Sequence, residues 1–181
     1  LIRITNLRNI SEGHLAPSLS SNIIVGGNGS GKTSLLEAMY ILGRGRTFRG
    51  SSIGPVIKQK EKALEVYGET RNQLKNLKIG IRRSRVGTEV RINSERIKRL
   101  SSLAVHLPLH LITPNSYQII EGNADYRRRF IEWGVFHVEH QYSVFSDRYR
   151  RVLAQRNASL KSDPASVRYW ETELSSTGEM L

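Results

Sequence analysis

Residues 26–33 read Gly26-Gly27-Asn28-Gly29-Ser30-Gly31-Lys32-Thr33, with Ser34 directly after. This stretch fits G-x-x-x-x-G-K-[ST] in full and decides the fold, because such a loop has to lie between a strand and a helix. Each residue type has a chemical reason. Glycines let backbone N–H groups turn toward phosphate oxygens at angles that other residues resist. A helix starting near Lys32 directs the positive end of its dipole at the same anion. Lys32 supplies a point charge for β- and γ-phosphates, and the Thr33 hydroxyl suits Mg²⁺. The expectation is a nucleoside triphosphate site, with ATP and Mg²⁺ as ligands and residues 26–34 as the phosphate-binding set.

The flanks agree. Residues 22–25, Asn-Ile-Ile-Val, read as a strand covered on both faces. A helix is expected from about 32 to 42, with Leu35, Leu36, Met39 and Tyr40 at helical spacing and Gly43 at its end. Residues 1–7 read as a first strand, with Ile2 and Ile4 alternating against Arg3 and Thr5. A loop rich in Gly, Arg and Ser occupies 43–55. From 63 to 92 the period becomes two, through Leu64 and Val66, Leu77, Ile79 and Ile81, then Val90 and Ile92. Gly68 and Gly87 mark turns, so the stretch reads as an antiparallel meander. Residues 103–112 read as a short helix, then a strand after Pro108. The remainder reads as helical. Asp125 is expected to cap a helix carrying Phe130, Ile131 and Trp133. A longer helix places Tyr142, Phe145, Tyr149, Val152, Leu153 and Leu160 on one stripe, and Asp163-Pro164 ends it. The last helix, with Val167, Trp170, Leu174 and Leu181 on one face, runs to residue 181 without a cap.

Composition narrows the class. The chain has 181 residues, 38% of them hydrophobic, and no cysteine, so disulfide frameworks and Cys-based zinc or redox sites are excluded. No apolar run approaches the ~20 residues of a membrane-spanning helix. Residue 1 is Leu, so the numbering is expected to begin inside a longer native chain. The formal charge is +12, from 28 Lys plus Arg against 16 Asp plus Glu, which favours a polyanionic partner such as DNA. Seven cations fall in one stretch: Arg82, Arg83, Arg85, Arg91, Arg96, Lys98 and Arg99. Two readings fit them, a solvated edge of the meander or contact with a phosphodiester backbone. Arg148, Arg150, Arg151 and Arg156 read as the solvated flank of a helix. The 2 Trp, 7 Tyr and 4 Phe fit helical core spacing better than base stacking. The histidines lack metal-ligand spacing.

Hydrolysis needs an acid after an apolar strand to hold Mg²⁺ and orient water. Glu65 and Glu89 lie in the meander and Glu132 in a helical pattern, so none suits that role.

The motifs together resemble a known family. The run from Asn28 through Glu37-Ala38 resembles the Walker A segment of SMC-like ATP-binding-cassette ATPases. Gly45-Arg46-Thr47-Phe48-Arg49 is similar to the G-R-S-F-R segment of the RecF family. Leu7-Arg8-Asn9 resembles its F-R-N. Pro114, Gly122, Arg127-Arg128 and Phe130-Ile131-Glu132-Trp133 resemble its P-E…G-x-P-x-x-R-R-x-F-L-D-W segment, and Trp170-Glu171 with Leu174 and Gly178 its W-D…L-A-x-x-G. Asn115, Ala124 and Glu132 depart from that pattern.

The resemblance implies an α/β P-loop NTPase fold. This is an ATP-binding-cassette and SMC-type ATPase head with a mixed sheet, an antiparallel β-meander and part of a helical lobe. It implies a nucleotide-binding lobe over 1–112, with the Walker A core in 1–50 and the meander at about 60–95. A truncated helical lobe covers 113–181. It places Arg8, Asn9 and the Q-loop equivalent Asn115 beside the nucleotide, and suggests that Arg127 and Arg128 pack or pair within the helical lobe. It implies a cytoplasmic, nucleoid-associated protein of DNA replication, recombinational repair and the SOS response. Two full-length copies would sandwich ATP and dimerise on DNA at single-strand/duplex junctions, with RecO and RecR as partners in loading RecA. The signature motif and Walker B acid are expected beyond this chain, so the fragment is not expected to turn over ATP alone. A transporter ATPase, or a nucleic-acid binder with a vestigial loop, are the alternative readings.

Overall fold

The computed structural model describes all residues except 51, 53, 72–75, 140 and 163. The chain divides into two compact units, Leu1–Leu111 and Ile112–Leu181.

The first unit is built on a sheet in the order β2-β1-β3-β4-β5-β6. Its strands are β1 (Ile2–Leu7), β2 (Ile10–Leu15), β3 (Ala63–Arg71), β4 (Asn76–Ser84), β5 (Thr88–Ile92) and β6 (Glu95–Arg96). Every pairing is antiparallel. Alternation sets the inner face: Ile4, Leu64, Val66, Ile79, Ile81, Val90 and Ile92 are all buried. Helix α1 (Lys32–Arg44) contributes Ala38, Ile41 and Leu42 to the same core, and the short helix α2 (Ser101–His106) contributes Leu103.

Several expectations are corrected here. The sheet is antiparallel throughout rather than mixed. Residues 22–25 form no strand, and Ile23 and Val25 are 88% and 84% exposed. Continuous apolarity makes a strand only where neighbours bond both edges and cover both faces, and no described strand pairs with this segment. Gly68 lies inside β3 rather than at a turn. A Cβ there would meet Leu42 Cδ1 at 2.8 Å, so this glycine admits close approach of α1. Strand β2 is an additional strand that lacks a sustained alternating pattern. Among the described residues no strand follows Pro108. On α1 the buried stripe is Ser34, Glu37, Ala38, Ile41 and Leu42, whereas Leu36 is exposed. The helix continues through Gly43 to Arg44. Gly45 ends it with φ 66° and an N–H donated to the Ile41 carbonyl at 2.7 Å.

The second unit contains α3 (Gln118–Glu121), α4 (Ala124–Val138), α5 (Tyr142–Ser162) and α6 (Val167–Gly178). Asn123, not Asp125, caps α4: its side chain accepts from the Asp125 N–H at 3.1 Å. Residue 123 is where the backbone is still extended, so its carboxamide reaches the first turn. Phe130 and Ile131 are exposed on α4, and Leu160 is exposed on α5. Otherwise the α5 stripe lies inward, with Val152 buried and Tyr142, Phe145, Tyr149 and Leu153 half-buried; Ser146 and Ser159 of α5 and Thr177 of α6 are buried as well. Arg148–Glu173 and Arg156–Glu171 pair across them, and Arg150 pairs with Glu132. Those arginines are therefore ion-paired rather than merely solvated. Helix α6 ends at Gly178, short of the chain end. Asp163 lies outside the described residues.

Substituting Gly45→Ala is expected to destabilise the first unit by at least about 1–2 kcal/mol. The left-handed backbone alone costs that much for a residue with a Cβ. The added atom would also fall 2.7 Å from Leu100 Cδ2. Urea unfolding of wild type and variant measures the difference.

Candidate nucleotide-binding site

The loop lies at the N-terminus of α1. Gly26, Gly29 and Gly31 have φ of 155°, 79° and 98°, which are glycine conformations. A Cβ on Gly26 would fall 2.8 Å from Ser30 Oγ, while nothing lies within 4 Å of one on Gly27 or Gly29. The loop is thus an open, solvent-facing turn rather than a packed one. Its backbone is further held by Ser30 N–H to the Gly27 carbonyl at 3.3 Å and Leu35 N–H to the Gly31 carbonyl at 2.9 Å.

Lys32 curls back over the loop. Its ammonium donates to the Gly26 and Gly27 carbonyls, each at 2.7 Å. An ammonium has three donors, so one remains for an oxyanion in the concavity. Thr33 is exposed at the first helical turn, where backbone N–H groups have no intrahelical partner. The arrangement fits a polyphosphate: free N–H groups, a helix N-terminus, an ammonium already poised over the loop and an accessible hydroxyl. The Ser34 side chain is turned to the interior. It is buried, and its hydroxyl donates to Asn9 Oδ1 at 2.9 Å.

Behind the loop lies a network that the sequence pattern did not assign. Asn9 Nδ2 donates to the Gly29 carbonyl at 2.9 Å, so this one carboxamide bridges loop and helix. Arg8 grips Glu37 through two hydrogen bonds, Nε to Oε2 at 2.5 Å and Nη2 to Oε1 at 2.9 Å. Thr47 Oγ1 donates to the same carboxylate, and Arg49 N–H donates to Thr47 Oγ1 at 3.0 Å. Glu37 is fully buried. Burial pushes its carboxyl pKa up. Hydrogen bonds from Arg8 and Thr47, with the charges of Arg8 and Arg49, outweigh that and hold it below the ordinary value of 4.5. The available signal was polarity on the wrong face: Ser34 and Glu37 share a stripe with Ala38, Ile41 and Leu42, and a buried carboxylate requires a partner.

Asn115 belongs to the second unit, in the 3-10 turn Pro114–Tyr117. In the same unit Arg127 donates to the Gly122 carbonyl at 2.9 Å and Arg128 pairs with Asp125.

The seven candidate DNA cations separate into distinct groups. Arg83 is removed from that set. Its Nη1 donates to the Gly45 carbonyl at 2.6 Å, and burial pushes its pKa down, so it secures the end of α1. Arg82 pairs with Glu65 and Arg91 with Glu89 on the outer sheet face. Arg85, Arg96, Lys98 and Arg99 are exposed and, among the described residues, in no ion pair. Among the described residues no cluster of three or more His, Cys, Asp or Glu suits a metal, and no helix is long and apolar enough to cross a membrane.

A model of the RecF/RecN/SMC N-terminal domain matches residues 1–179. The chain is 41% identical over 183 residues to the DNA replication and repair protein RecF of Shewanella pealeana, covering 99% of this chain and 51% of that protein. It is 44% identical to RecF of Hahella chejuensis over 165 residues, 89% of this chain and 44% of that one. A solved structure of the recombination mediator protein RecF–ATP in the RecFOR pathway superposes with a TM-score of 0.81 at 26% identity, covering 98% of this chain and 50% of that chain. The chain thus spans about half the length of the curated relatives it matches.

The Glu37 network makes stability depend on pH in a defined direction. A carboxyl held below its ordinary value stabilises the fold above pH 4.5, and that contribution is lost as pH falls through the lowered value. Thermal unfolding from pH 7 down to 3 should therefore show a steeper acid loss of Tm in wild type than in Glu37→Gln. Parallel curves would remove Glu37 as the titrating group.

Proposed function

Because the chain belongs to the RecF/RecN/SMC N-terminal domain family, we propose that it is the ATP-binding part of a DNA replication and repair protein of the RecF type. The single observation that carries this reading is the loop at 26–33, with its left-handed glycines and the Lys32 ammonium bent over it at a helix N-terminus. The first unit's role is nucleotide binding, with residues 26–33 cradling the phosphates and the Thr33 hydroxyl serving Mg²⁺. The second unit, with Asn115 at its start, serves as the helical lobe. When bound, Mg²⁺ neutralises phosphate charge. What these residues do is orient the triphosphate and balance its charge.

Hydrolysis belongs to the full-length protein. ATP would act as a dimerisation switch, since it stabilises the closed dimer only if that state binds it better. DNA at single-strand/duplex junctions would bind the dimer, with RecO and RecR as partners in RecA loading. Residues 22–25 would then gain strand neighbours from the portion of the protein beyond this chain, which accounts for their exposed Ile23 and Val25. The four cations Arg85, Arg96, Lys98 and Arg99 are offered as phosphodiester contacts, because they are exposed and in no ion pair among the described residues. Relatives at 41–44% identity named as repair proteins favour this reading over a transporter ATPase.

Two measurements on the full-length protein test it. Lys32→Ala should abolish ATP binding with the fold retained, and unchanged affinity would remove the nucleotide assignment. DNA affinity should fall with salt at a log–log slope of about −0.9 per phosphate contact. Replacing Arg96, Lys98 and Arg99 by Ala should flatten that slope by about one unit per lost contact. A slope unchanged by the triple variant would place the DNA elsewhere.

A further inference from the structure

The loop at 26–33 is held from behind by a chain of hydrogen bonds that starts on α1. Ser34 and Glu37 stand one turn apart on the buried side of α1. The turn after β1 is fastened to both: Asn9 to Ser34 at 2.9 Å and Arg8 to Glu37 at 2.5 and 2.9 Å. That turn is strained at Arg8, with φ of 51°, and Asn6 near the end of β1 has φ of 55°; such backbone persists only where surrounding contacts over-determine it. Arg8 is tied down twice more, by its N–H to the Val56 carbonyl at 2.8 Å and its Nη1 to the Pro55 carbonyl at 3.2 Å. The consequence lies one residue on. Asn9 donates to the Gly29 carbonyl at 2.9 Å, and a Cβ on Gly31 would fall 3.2 Å from Asn9 Nδ2. Fixing the Gly29 carbonyl fixes the peptide plane between Gly29 and Ser30, because that unit is rigid.

We propose that Glu37 is a positioning residue of the nucleotide site, acting through Arg8 and Asn9 to set the conformation of the phosphate loop. Its carboxylate is fully buried and already accepts from Arg8 and Thr47, so it takes no part in chemistry. Through Thr47 it also fixes the Arg49 N–H, which joins the Gly45–Arg49 segment to the same anchor. This inference rests on the reading of 26–33 as an ATP site.

The test is a double-mutant cycle on MgATP affinity in the full-length protein, at a temperature where every variant is folded by circular dichroism. Glu37→Gln and Asn9→Ala should each weaken ATP roughly tenfold, the scale on which losing an outer hydrogen-bond partner loosens a bound ion. The double variant should be no weaker than the weaker single one, because both lie on one path. Arg8→Lys, which keeps the charge and loses the paired geometry, should resemble Glu37→Gln. A purely structural role would lower Tm and leave the affinity of folded protein unchanged, and that result overturns the proposal, as do fully additive losses. If Glu37→Gln does not fold, the exposed Asn9→Ala and Arg8→Lys carry the same cycle. Lys32→Ala separates the two readings. If wild type binds ATP, Lys32→Ala abolishes it and Asn9→Ala binds like wild type, only this inference fails. If wild type does not bind ATP, the nucleotide reading fails and the inference with it.

Discussion

The ion pair between Arg8 and Glu37 is the contact on which the architecture of the first unit turns. It joins a sheet to a helix across 29 residues of sequence and leaves the carboxylate fully buried. A buried pair contributes little net stability, because desolvating both charges offsets their attraction. Removing one partner is different, since it leaves an uncompensated buried charge at a cost of about 3–5 kcal/mol. The pair therefore works less as a source of stability than as a constraint on register. With Arg8 in place, the strained turn after β1 can only present Asn9 to the loop.

That constraint supplies one of the few contacts that reach an open, glycine-rich loop. Glycines allow the left-handed backbone that directs N–H groups toward an anion, but they lose more conformational freedom than any other residue. Order has to be supplied from outside the loop. It comes from the Lys32 ammonium on two carbonyls, from Asn9 on a third, and from the first turn of α1. The loop is consequently hydrogen-bonded at its back and open at its mouth, where Gly27, Gly29 and Thr33 face solvent.

The basic stretch shows how pairing sorts charge by role. Seven cations close in sequence are divided by the sheet's alternation. Arg83, on the face opposite to that of Arg82, is drawn to the end of α1, where backbone carbonyls are left without helical partners. Arg82 and Arg91 meet glutamates on their own face. Four remain exposed at the β4–β5 turn and after β5. Net charge pointed to a polyanion, but only neighbours in space say which cations are free to meet one.

What the sequence determined by itself was local. The glycine-rich loop with Lys32 and Thr33, the helix that follows and the period-two meander are each encoded within a few consecutive residues, by backbone preference and side-chain alternation. The family resemblance was legible for the same reason, since its motifs are short runs. Tertiary structure alone decided which stripe of α1 is buried, that Glu37 meets Arg8 and Thr47, that Asn9 holds Gly29, and that Gly68 yields space to Leu42. Residues 22–25, apolar enough for a central strand, form none here because no described strand lies beside them. Those outcomes depend on which distant surfaces come together, and hydrophobic periodicity carries no information about a partner that lies tens of residues away.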